Sequence, residues 1–106
     1  MGLSMDSYAI IRQAVLDRCS LTAMYEGRIR HFSPHCLGTD KGGGYNVLGF
    51  QYGGQTTKRP LPPGGGWRCF NVGNLSNVVR NKDAWHAGFE HSRPNTCVSH
   101  VDVEAR

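Results

Sequence analysis

The sequence predicts a small, mainly β domain: one N-terminal helix, then five short strands bent into a barrel. Three observations carry this. Short alternating segments recur between residues 20 and 80, glycine reaches 14 of 106 residues, and hydrophobic residues make up 39%. A glycine-rich, moderately apolar chain of this length suits a turn-rich β domain better than a helical bundle. It has room for one core and one domain. Closing a bent five-stranded sheet removes most exposed strand edges.

Residues 6–18 read as the helix. Asp6 is a suitable N-cap, and Tyr8, Ile11 and Val15 recur at helical spacing beside Ile10 and Ala14. The apolar stripe is narrow, so the helix should pack on a sheet. Residues 20–26 alternate, with Leu21, Ala23 and Tyr25 on one face and Thr22, Met24 and Glu26 on the other. Glu26-Gly27 is the turn of a hairpin, since glycine accepts positive φ. Residues 28–37 return as its partner, interrupted by Pro34, which excludes a plain central strand.

After the flexible Asp40-Lys41-Gly42-Gly43-Gly44 turn, residues 45–52 form the clearest strand. Gly49 at its middle marks a bend or bulge. Residues 53–66 carry no periodicity and form a long loop, which points to function or mobility. Residues 67–72 and 75–80 are the last two strands, turned by Gly73-Asn74, the second of them opening with a helical turn. The chain divides into a disordered or extraneous start (1–5), the helix and barrel (6–80), and an extension packed on the barrel (81–106). That extension draws on Trp85, Phe89, Val98, Val101 and Val103 and includes a short strand near 97–103.

Formal net charge is +4 and the pI is about 9.1, which suits ordinary solubility or an anionic partner. No apolar run approaches the roughly 20 residues of a membrane span. No signal peptide stands at residues 1–7, so the expected location is cytoplasmic and the four cysteines (Cys19, Cys36, Cys69, Cys97) are expected to be reduced. Cys19, Cys36 and Cys69 then serve as small buried apolar groups.

Several chemistries have matching residue types in the chain. His35-Cys36 with Cys97 and His100 has metal-ligand residue types, with Cys69, His86 and His91 in reserve. Adjacent strand residues point to opposite faces, however, so no metal is assigned. No nucleophile elbow or phosphate loop occurs, so neither enzyme activity nor a cofactor is expected. The Lys58-Arg59-Pro60-Leu61-Pro62-Pro63 run reads first as a solvated linker, then as a basic flap or a proline-rich docking strip. The strongest constellation is Tyr25, Arg30, His35, Arg68 and Phe70. Arg30 shares strand parity with Phe32, and Arg68 with Phe70, so two guanidiniums can converge beside aromatic rings. Against it stands pairing of the arginines with Glu26, Asp40 or Asp83.

An ordered set of residues adds to this. Tyr25, Gly27, Arg30, Phe32, Pro34, His35, Leu37 and Gly38 are followed by the run Val47-Leu48-Gly49-Phe50-Gln51. Trp67, Arg68, Phe70, Val72, Leu75, Ser76 and Val78 then complete it. Over residues 20–80 this pattern resembles the WYL domain. The Trp-Tyr-Leu signature itself stands here as Tyr45-Asn46-Val47-Leu48, and no helix-turn-helix fits in the short stretch before the barrel. The resemblance implies a five-stranded Sm-like (Src-homology-like) small barrel from prokaryotic regulation or defence, stand-alone or phage-linked. It implies sensing of an anionic ligand, single-stranded nucleic acid or a nucleotide. Arg30 and Arg68 would hold phosphate, Tyr25 and Phe70 would stack or shape the pocket, and His35 would donate a hydrogen bond. The competing expectation is a protein-interaction adaptor or a self-pairing barrel, a homodimer included, with no small ligand.

Overall fold

The computed structural model describes residues 5–57, 60–88 and 97–105. It contains one helix, α1 (Met5–Asp17), and strands β1 (Leu21–Tyr25), β2 (Arg28–Thr39), β3 (Tyr45–Gly54), β4 (Gly66–Asn71), β5 (Leu75–Arg80) and β6 (His100–Glu104). A single 3-10 turn, Val72–Asn74, joins β4 to β5. The class is therefore mainly β with one N-terminal helix. The sheet has six antiparallel strands, ordered β4-β3-β2-β1-β5, with β6 added to β2. The expected count of five is corrected by β6, which comes from the C-terminal extension.

The twelve-residue β2 organises the sheet. Its first half pairs with β1, from Leu21↔Phe32 to Tyr25↔Arg28. Its second half pairs with β6, from Cys36↔Glu104 to Thr39↔His100. Between the halves the register with β3 slips, so that Pro34 faces Gly49 and Cys36 faces Leu48, leaving His35 as the extra residue of a bulge. The bulge reverses which parity faces the core: Phe32 lies inward before it and Leu37 after it. Gly49 sits opposite the bend because a Cβ there would come within 2.8 Å of the Phe32 ring.

The helix lies across the sheet with Ile11, Ala14 and Val15 buried against Leu21, Phe32, Leu37, Phe70, Val72 and Val78. It ends one residue earlier than expected because Arg18 takes a left-handed φ of 52°, and the Cys19 N–H reaches back to the Ala14 carbonyl. A smaller cluster joins Cys36, Leu48 and Val98 with Trp67 and Cys97 packed on it.

The cysteine expectation is also corrected. Cys69 and Cys97 form a disulfide, with Cα atoms 6.2 Å apart. Cys69 lies on the exposed side of β4, so it is not a buried apolar group; Cys36 is buried and Cys19 half-buried, both as thiols. Pairing of Cys97 with Cys69 also removes two of the candidate metal ligands. Residues 1–4, Lys58, Arg59, Phe89 and His91, which carried parts of the sequence reading, lie outside the described residues. Among the described residues no helix is long and apolar enough to cross a membrane.

Candidate anion-binding site

The curl of the sheet brings the end of β1 against β4, although two strands separate them in the hydrogen-bonded order. The Tyr25 ring meets the Phe70 ring edge-on at 5.0 Å, and the Asn71 N–H donates to the Tyr25 hydroxyl at 3.2 Å. Between them lies a hollow of about 390 Å³. Tyr25, Arg30, Arg68 and Phe70 all line it, as do Glu26, Thr56 and Thr57.

Arg30 forms the floor. It comes up from β2 on the parity of Phe32 and is only 3% exposed. Its guanidinium lies 5.3 Å from the Tyr25 ring centre and 5.9 Å from that of Phe70. Its Nη2 donates to Thr57 Oγ1 (2.8 Å), the Tyr25 carbonyl (3.3 Å) and Glu26 Oε1 (3.5 Å), and its Nη1 to Gln51 Oε1 (3.4 Å). Burial, reinforced by the like charges of Arg68 and Arg28, makes Arg30 a weaker base than a free guanidinium, while Glu26 opposes that shift. Arg30 is thus tied to an acid across the Glu26-Gly27 turn.

Arg68 lines the hollow from β4. It is half-buried on β4, on the parity of Phe70, and donates from Nη1 to the Trp67 carbonyl at 3.1 Å. The neighbouring wall is built by the chain leaving β3. Gln51, fully buried, donates to the carbonyls of Gly53 and Gln55, and the Gln55 N–H reaches the Ile29 carbonyl. That bend delivers Thr56 and Thr57 to the hollow, where Thr57 also donates to Glu26 Oε1 at 2.7 Å.

His35 is not among the lining residues. It precedes the switch in parity and so lies on the other face of the sheet from Arg30, alongside Ser33. There it sits between Trp67 (4.9 Å) and Trp85 (4.6 Å) and donates from Nε2 to the His86 carbonyl at 2.9 Å. His86 stacks in turn on Tyr52 at 4.1 Å, whose hydroxyl is pushed up to about 12 by burial and by its bond to Asp83.

No protein-family model, curated protein or solved structure matches this chain. The site therefore stands on its own geometry.

Sequence reasoning did not include Glu26, Gln51, Thr56 or Thr57 in the site. Gln51 carried a signal: a polar residue amid the Val47–Phe50 apolar run. Glu26 was read as a turn residue and as an acid that could pair with an arginine, which it does with Arg30, but not as a lining residue. The threonines had none, because they reach the hollow through a loop without periodicity.

Proposed function

We propose that this hollow binds an anionic ligand, single-stranded nucleic acid or a nucleotide, as a WYL-like sensing or binding module. The observation that supports it is the convergence of Arg30 and Arg68, from β2 and β4, on one hollow with Tyr25 and Phe70 at its wall. A volume near 390 Å³ suits a small-molecule site or a single nucleotide unit of a strand. The roles divide unequally. Arg68 is the direct phosphate contact. Arg30, bonded to Gln51, Thr57 and Glu26, supplies positive field from the floor and holds Tyr25 in place. Phe70 is 1% exposed and backs the pocket, while the half-buried Tyr25 offers the ring for stacking. The strong curl of β2, with β4 passing to β5 through one 3-10 turn, supports an Sm-like barrel as the finer description.

Fluorescence polarisation with short single-stranded oligonucleotides at two salt concentrations tests this. Binding should weaken steeply with salt, and Arg68→Ala should abolish it. A salt-insensitive response, or full binding by Arg68→Ala, would refute the reading.

One observation favours a second role. Ile29 (39% exposed) faces Met24, and Val79 (54% exposed) stands one pair along opposite Thr22, on the solvent side of β2, β1 and β5. An apolar strip of this kind suits self-pairing or an adaptor surface. Sedimentation of wild type against Ile29→Lys decides it: a dimer lost in the variant supports self-pairing, and a monomer in both removes it.

A further inference from the structure

Glu26 is the feature of the hollow that phosphate binding does not explain. A carboxylate beside the site repels an approaching anion. The turn does not need it either, because Glu26 takes a φ of 54°, where glycine or asparagine is less costly. A strained non-glycine residue facing a cavity points to a role for its side chain. That side chain is 52% exposed, yet held in place. Oε1 accepts from Thr57 at 2.7 Å and from Arg30 at 3.5 Å. Oε2 has no hydrogen bond among the described residues. The result is a fixed acceptor and a guanidinium, Arg68, lining the same hollow.

A ligand that satisfies both carries hydrogen-bond donors for the carboxylate and an anion for the guanidinium. Resting on the nucleotide reading above, we infer that Glu26 reads the base, and that the preferred ligand is a guanine nucleotide, with its phosphate on Arg68. Guanine alone among the common bases presents two adjacent donors, the ring N1–H and the exocyclic N2 amino group, on its pairing edge. A carboxylate accepts both. Uracil and thymine offer one N–H between two carbonyl oxygens, which a carboxylate repels. Adenine and cytosine set an acceptor nitrogen beside their amino group. An ionised carboxylate only accepts, and carboxylates accept from base amino groups where proteins read base edges, as from cytosine N4. Tyr25, adjacent to Glu26 in the chain, supplies a ring to the same hollow.

Guanosine monophosphate and inosine monophosphate differ only in the N2 amino group, so calorimetric titration of both isolates the contact. The wild-type protein should bind the guanosine nucleotide about tenfold more tightly. Glu26→Gly, which suits the positive φ and keeps the turn, should bind both alike and at least as tightly as wild type binds inosine, because a repelling charge has gone. Equal binding by wild type, or a preference that persists in Glu26→Gly, overturns the inference. Equal binding that is still lost in Arg68→Ala overturns it while leaving the anion site standing. If neither mononucleotide binds, the same comparison is made with an oligonucleotide carrying guanosine or inosine at one position; no binding there removes the anion site and the inference together.

Discussion

The two faces of the sheet carry similar residue types and use them in opposite ways. On one, Arg30 and Arg68 meet Tyr25 and Phe70 around a hollow. On the other, His35 and His86 interleave with Trp67, Trp85 and Tyr52. The second cluster is closed by the chain itself. Residues 81–88 lie over it, tied down by Ser20 Oγ donating to the Ala84 carbonyl, the His86 N–H donating to Ser33 Oγ, and Asn81 Nδ2 donating to both Thr22 and Tyr52. Basic side chains beside rings therefore do not identify a binding site. Among the described residues, what separates the two is whether the chain already occupies the space.

The Cys69–Cys97 disulfide ties β4, the strand that carries Arg68, to the segment leading into β6, and its loss should have the largest effect. The bond closes a loop of 28 residues. Replacing both cysteines by serine should cost on the order of 3–4 kcal/mol, read by urea unfolding. A loss within about 0.5 kcal/mol would mean that β6 holds its place without the tether.

Three substitutions then sharpen the contrast between closed and open clusters. Trp85→Ala uncovers His35 and should cost about 2 kcal/mol, since Trp85 is half-buried. Oligonucleotide binding should be unchanged. Arg30→Met should cost a similar amount, about 2 kcal/mol, because it strands Gln51 Oε1 and the Glu26 carboxylate. Arg68→Ala should behave in the opposite manner: stability within about 1 kcal/mol of wild type, and binding weakened at least tenfold. If Trp85→Ala abolishes binding and Arg68→Ala does not, the assignment of the two faces is reversed.

The smallest effect concerns acid. Asp40 is held below the ordinary carboxylate range, chiefly by the Gly44 N–H and then by Gly42 and Asn46. Asp17 is lowered by Gln13 and Arg80. A carboxyl lowered by folding adds stability above its unfolded pKa and loses it as pH falls through the folded value. Both residues lie outside the two clusters. Asp40→Asn should therefore flatten the acid limb of the stability profile slightly without moving binding at neutral pH. An unaltered acid limb would mean that the Asp40 turn opens without consequence for the fold.

Alternation made the strands legible in the sequence, and parity within β2 and β4 was enough to place Arg30 with Phe32 and Arg68 with Phe70. Parity fails at a bulge, however. His35 sits at the slip between Pro34 and Cys36, and the sequence offered only Pro34 and, across the ladder, Gly49 as hints of it. The disulfide was hidden because it joins Cys69 to a cysteine in the aperiodic extension, brought close only by the addition of β6 to β2. The part played by Glu26 was unreadable for a different reason. Its carboxylate reaches the hollow through a turn whose first residue need not be glutamate at all.

Amide chemical-shift mapping with a short single-stranded oligonucleotide tests the division of the two faces most directly. The expected shifts centre on Tyr25, Glu26, Thr56, Thr57 and Arg68, with His31, Ser33, His35 and Trp85 unmoved. Shifts concentrated on His31–His35 and 81–88, with the Arg68 wall silent, would contradict it.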